Sequence, residues 1–276
     1  MVKVKKQRVR VKNKNSIFQR KKPMGPKTVL KFLAGVMMLT AIGLGLVRLK
    51  YMFVDSDYFL IQGIDVKLYD ENGSPRNLYL KDLSKENIIG TNIFFVDLGS
   101  LKNEIETNHS ELKDVVVRRV LPNMLAVEGI LRKAVAQIRS DRYYPVDKEG
   151  MLLPDVVNFP SPDLPIITGI GINLAKISRS RLTEFEEQKL QNALNLINEI
   201  AANDKLKEYR LKLADTTDPG NLTFSLDTIN VEIKIGNSDF RERLNTLATI
   251  IGQLDTDINN FKYIDLRFED PIMGPK

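Results

Sequence analysis

Apolar positions along the chain fall into three regimes. Residues 32–47 form an unbroken run without a charge, whose sixteen residues would rise about 24 Å as a helix. That is short of the ~30 Å hydrocarbon core, but Lys31 and Arg48 can snorkel, and 28–30 and 49–54 extend the apolar length at either end. After it comes a stretch of mixed periods. Phe59, Ile61, Ile64, Val66 and Leu68 read as a strand with an irregularity at Gly63, and Asp70 to Pro75 is turn chemistry. A short helix is expected from Ser84, an N-cap, through Ile88, ended by Gly90-Thr91-Asn92. Asp97 caps a second helix with Leu98, Leu101 and Ile105 on one face, and the β-branched runs 115–120 and 125–130, joined through Pro122-Asn123, give a hairpin.

From position 133 the pattern changes again. Short runs at 134–138, 143–146, 166–168, 209–213, 222–226 and 231–235 are separated by Gly, Pro, Asn and Asp turns and read as strands. Two helical stripes interrupt them, one through Leu190, Ala193, Leu194, Ile197, Ile200 and Ala201, the other through Phe240, Leu244, Leu247, Ala248, Ile251 and Leu254. Each stripe is what burial on one sheet face demands. In the last run, Ile264, Leu266 and Phe268 alternate with Tyr263, Asp265 and Arg267, the pattern of a half-buried strand. Whether it lies at a sheet edge, where its free backbone groups could accept a partner strand, the pattern leaves open.

Charge decides the topology. Residues 1–50 hold fourteen Lys or Arg and no acidic residue, most of them before the apolar run, so the positive-inside bias assigns this flank to the cytoplasm and the rest to the other side. Beyond position 50 the 27 remaining basic residues face 35 acidic ones, a net charge of −8, so the basic pI belongs to the tail. That tail has one aromatic, Phe18, and no interleaved aromatic pattern, which argues against a nucleic-acid partner. Thirty-one residues of flank, with only Gly43 and Gly45 as a poor cleavage site, favour an uncleaved anchor over a signal peptide. Cysteine is absent, so the exported part depends on its core alone.

Catalytic chemistry is poorly supplied. The single histidine, His109, lies in a polar stretch and is expected at the surface, with no spacing that pairs it to a nucleophile. Asp141 with Asp147, the cluster Glu184, Glu186 and Glu187, and Asp255 with Asp257 are expected to be solvated charges. No zinc-protease, nucleophile-elbow or phosphate-loop motif is present. The expectation is a non-enzymatic protein with no cofactor, metal or small-molecule substrate.

The segments Asn92-Ile93-Phe94-Phe95-Val96-Asp97-Leu98 and Val115-Val116-Val117-Arg118-Arg119-Val120-Leu121-Pro122-Asn123-Met124-Leu125 resemble the POTRA domain of the bacterial cell-division family FtsQ/DivIB. Val146-Asp147-Lys148-Glu149-Gly150, Leu164-Pro165-Ile166-Ile167-Thr168-Gly169 and Tyr263-Ile264-Asp265-Leu266-Arg267-Phe268 are similar to landmarks of its second domain. In order and spacing the resemblance covers about residues 28–270. It departs where the family often has Glu-Arg-x-Pro: this chain has Leu131-Arg132-Lys133-Ala134, which puts the usual interdomain joint in question. Pro271 follows soon after the terminal strand, and no extended C-terminal tail is expected.

The resemblance implies an α+β fold made of a basic cytoplasmic tail (1–27), a transmembrane helix (28–50), a β-α-α-β-β POTRA domain (58–132) and a β-rich domain with two covering helices (133–276). It implies a divisome scaffold of the inner membrane at the septum, bound to FtsB and FtsL through the last strand region, with Tyr263, Arg267, Phe268 and Ile272 as contact residues and Pro271 truncating strand addition. The alternative is a POTRA-bearing periplasmic chaperone or transport subunit that binds client strands.

Overall fold

The computed structural model describes residues 25–76, 88–172 and 182–276. They fall into two units, Met1–Ser56 and Asp57–Lys276. The described part of the first is α1 (Pro26–Phe53), none of whose residues is buried by protein. Pro26 sits where a helix needs no N–H donor, and the 28 residues rise about 42 Å, more than a bilayer core needs. The helix runs past the expected limits at both ends because 26–27 and 51–53 are compatible with its turns. It is long and apolar enough to cross a membrane.

The second unit contains two sheets, each with its own apolar cluster. In the first, β1 (Gly63–Tyr69) lies parallel to β4 (Met124–Leu131), which pairs antiparallel with β3 (Leu112–Val120), and the short β2 (Pro75–Arg76) closes the other side. Strand β1 begins later than the apolar pattern predicts. Residues ahead of it bond elsewhere: Ile61 N–H donates to the Thr91 carbonyl at 2.9 Å, and Leu60 bridges Asn92. Helix α2 (Leu98–Asn108) starts as expected at Asp97, whose carboxylate accepts from the Gly99 and Ser100 amides. It buries Leu101 and Ile105 with Leu112, Val115, Leu125 and Val127. The helix expected from Ser84 lies outside the described residues except for its end at Ile88.

The second sheet has eight strands in the order β12-β11-β10-β9-β8-β7-β5-β6. They are β5 (Ala134–Arg139), β6 (Tyr143–Asp147), β7 (Ile166–Thr168), β8 (Leu211–Asp215), β9 (Thr223–Leu226), β10 (Glu232–Lys234), β11 (Phe261–Asp265) and β12 (Ile272–Pro275). Neighbours β5, β7 and β8 run parallel, as do β10 and β11; the other pairs are antiparallel. Helices α3 (Glu184–Ala202) and α4 (Phe240–Leu254) bury the predicted stripes against this sheet. Leu196 joins the α3 stripe in place of Ala201, which is exposed, because α3 also packs against α4. Thr183 caps α3, its hydroxyl accepting from the Glu186 amide.

Between the sheets only Arg132 and Lys133 separate β4 from β5. Although the Glu and Pro of the family pattern are absent, the joint is tightly held. Arg132 donates to Asp147, the last residue of β6, and at 2.6 Å to Glu149 in the turn that follows. Its backbone N–H donates to the Glu111 carbonyl at 2.8 Å. Lys113 on β3 reaches Glu71 at 2.6 Å, and Lys148 reaches the same carboxylate at 3.1 Å. Gly150, at φ 85°, lets that turn double back, so that Asp147 also accepts the Glu149 and Met151 amides. Hydrogen bonds from Lys113 and then Lys148 hold the Glu71 carboxyl below its ordinary range, and Arg132 does the same for Glu149.

Candidate functional site

The predicted contact residues lie at one end of the second sheet, but not on an edge strand. Strand β11 is paired on both sides, with β10 and with β12, and β12 is the edge. The strand also ends at Asp265, short of Arg267 and Phe268. Its end has a physical cause: the Arg267 amide turns back to Asp265 Oδ1 at 3.1 Å, and its guanidinium grips the same carboxylate through Nε at 2.8 Å and Nη2 at 2.5 Å. A third donor, Nη1, reaches the Asn221 side chain. The pair holds the Asp265 carboxyl below its ordinary range, chiefly through the Arg267 hydrogen bonds.

This corrects the expected alternation. Ile264 and Leu266 are buried as predicted, but Asp265 is buried too, and Phe268 points to solvent at 55% exposure. Phe268 follows the clamp, so its direction is set by the turn rather than by the period of the strand. The Arg267 guanidinium lies 5.8 Å from its ring centroid. Together with Glu242, Arg243 and Thr246 of α4, and with Pro271, it lines a groove of about 280 Å³.

Tyr263 has a supporting role. Its half-buried ring lies across Gly274 of β12, with Lys234 Nζ 4.5 Å from the centroid. A Cβ at position 274 would sit 2.6 Å from Tyr263 Cζ, well inside van der Waals contact. A side chain from the neighbouring strand thus covers a bare stretch of edge backbone. Ile272 is exposed on β12, as is Met273, which sequence reasoning missed. Ile272 and Met273 after Pro271 were the available signal, but two apolar residues are too few for a period. Pro275, which lacks an N–H, is tolerated because it ends an edge strand.

Three of the acidic residues singled out in the sequence have structural occupations. Asp141 accepts the Tyr144 hydroxyl at 2.7 Å, Asp147 belongs to the joint, and Glu186 accepts the Gly171 amide at 2.9 Å and pairs with Lys189. His109 is not at the surface as expected: its side chain is 13% exposed because it caps the end of α2 and pairs with Glu111 at 3.0 Å. Among the described residues no group of three His, Asp or Glu side chains is placed to hold a metal ion.

Comparison with known proteins places this geometry. Residues 134–267 match the family model described as "Cell division protein FtsQ/DivIB, C-terminal". The match begins at the first residue of β5 and stops before Phe268, so β12 lies beyond it. The chain is 29% identical over 269 residues to a protein named Cell division protein FtsQ from Syntrophotalea carbinolica, covering 93% of this chain and 89% of that one. It is 25% identical to the protein of the same name from Geotalea daltonii, over 91% of this chain and 88% of the relative. A third, from a Geobacter species, is 28% identical over 99% of this chain and 97% of its own length. Residues 134–267 thus carry the pattern of the FtsQ/DivIB C-terminal domain, and along nearly its whole length the chain is similar to proteins named Cell division protein FtsQ.

Proposed function

We propose that this protein is a non-enzymatic, single-pass scaffold of the division machinery, with residues 1–27 in the cytoplasm and residues 58–276 outside, at the septum. The basic flank ahead of α1 supports that orientation. The first sheet serves as a POTRA domain and contributes to recruitment; the second docks FtsB and FtsL, linking early to late division proteins. The observation that carries this reading is the edge strand β12. It has a strand partner on one side only among the described residues, and it carries exposed Ile272 and Met273 beside exposed Phe268. An edge of this kind offers backbone groups for strand addition and side chains for selection. The relatives' names, all of cell division, favour this over capture of unfolded client strands.

Phe268→Glu tests it. Since the side chain already faces solvent, the variant is expected to keep the circular dichroism melt of the parent while losing capture of FtsB in a pull-down. Capture at the parental level would remove Phe268 from the interface and count against this end of the sheet as the docking site.

A further inference from the structure

Large exposed apolar side chains of the first sheet gather at one of its ends. Parallel pairing of Gly63 with Met124 puts the starts of β1 and β4 together, and the β3–β4 turn must lie there as well. Hydrogen bonds collect the neighbouring loops at the same end. Ile93 N–H donates to the Phe59 carbonyl, Gln62 N–H to that of Asn123, and Arg119 to the carbonyls of Ile93 and Val96. Phe59 touches Tyr58 and Phe94, with ring centroids 5.2 and 5.1 Å apart. Tyr58, Phe95 and Leu121 are 64%, 65% and 59% exposed, and Phe94 is 41% exposed. Single exposed apolar residues need no explanation, but four around one sheet end do.

We propose that this end of the first sheet, presenting Tyr58, Phe94, Phe95 and Leu121, is a docking surface for the lipid headgroup layer. The occupant follows from the chain. Only Val54 to Asp57 separate the last residue of α1 from Tyr58, so five peptide steps keep Tyr58 within ~18 Å of the helix end whatever direction the folded unit takes. Rings that are apolar in body and polar at the tip partition to that boundary, which suits Tyr58. Arg119, the nearest cation on the strand, donates to loop carbonyls, so the attraction is apolar more than electrostatic. The inference rests on α1 spanning the membrane and is independent of which protein binds β12.

The chain contains no tryptophan, so a single substitution reports without background. Full-length Phe95→Trp would be reconstituted into phosphatidylethanolamine/phosphatidylglycerol vesicles, with and without acyl chains brominated near the headgroup. Phe159→Trp, at an 82% exposed position in the second domain, is the control. The expected result is roughly twofold quenching of the Phe95→Trp emission by brominated lipid, in low and in high salt, and none for Phe159→Trp. Equal behaviour of the two variants would overturn the proposal and leave the patch to a protein partner or to none. A chain that does not float with the vesicles would overturn the membrane reading itself, so the two failures are distinguishable.

Discussion

Replacing Arg132 with alanine is expected to lower the melting temperature of the folded unit by roughly 6–12 °C. The guanidinium and the carboxylate of Asp147 are 11% and 3% exposed, so removing the cation strands a buried charge. Breaking such a pair costs about 3–5 kcal/mol, and the lower figure applies because Asp147 keeps two backbone donors. For a unit of this size ~1 kcal/mol moves the midpoint by about 2–4 °C. Glu149 is half exposed, so its share is small. Thermal denaturation of the full-length protein in detergent, followed by circular dichroism, measures the shift; a midpoint within a degree of the parent would show that the joint carries no stability.

Acid should act on the same network. Glu71 and Glu149 titrate below the ordinary glutamate value of 4.5 when folded, so their contribution is complete above that value and is lost as pH falls through the depressed ones. The parent should therefore lose stability below pH 4.5 more steeply than Arg132→Ala, in which Glu149 has already lost its main partner and keeps only the longer contact with Lys113.

Replacing Gly274 with valine is expected to weaken partner binding more than tenfold while leaving the global melt nearly unchanged. Any side chain there collides with the Tyr263 ring, and that ring cannot simply swing away, because it is half-buried with Lys234 set over it. The least costly response is for four-residue β12 to shift off β11, which sacrifices few buried contacts but destroys the edge. Adding Tyr263→Ala removes the obstacle, so the double variant should recover part of the affinity. Titration calorimetry with FtsB checks both, and unchanged affinity for Gly274→Val would separate β12 from binding.

The elements most legible in the sequence are those whose burial is one-sided and long enough to show a period. The stripes of α3 and α4, the Asp97 cap of α2 and the hairpin of β3 and β4 all came from spacing and turn chemistry. Three features did not, each for a reason that hydrophobic spacing does not register. The joint depends on Arg132 meeting Asp147 and Glu149, more than a dozen residues away and invisible to a pattern that registers only a missing Glu and Pro. The end of β11 is set by a charge clamp between Asp265 and Arg267 that overrides the alternation and turns Phe268 outward. The edge itself is β12, whose register is fixed by a glycine under a neighbour's ring rather than by any apolar period of its own.

Strand addition at β12 makes the sharpest claim, and amide hydrogen exchange reads it directly. Exchange of residues 272–274 would be followed in the full-length protein with and without saturating FtsB. Slowing confined to β12 and the 266–269 turn, with β5 to β8 unchanged, is the result predicted here. Protection elsewhere on the sheet, with β12 exchanging as fast in the complex as in the free protein, would contradict it.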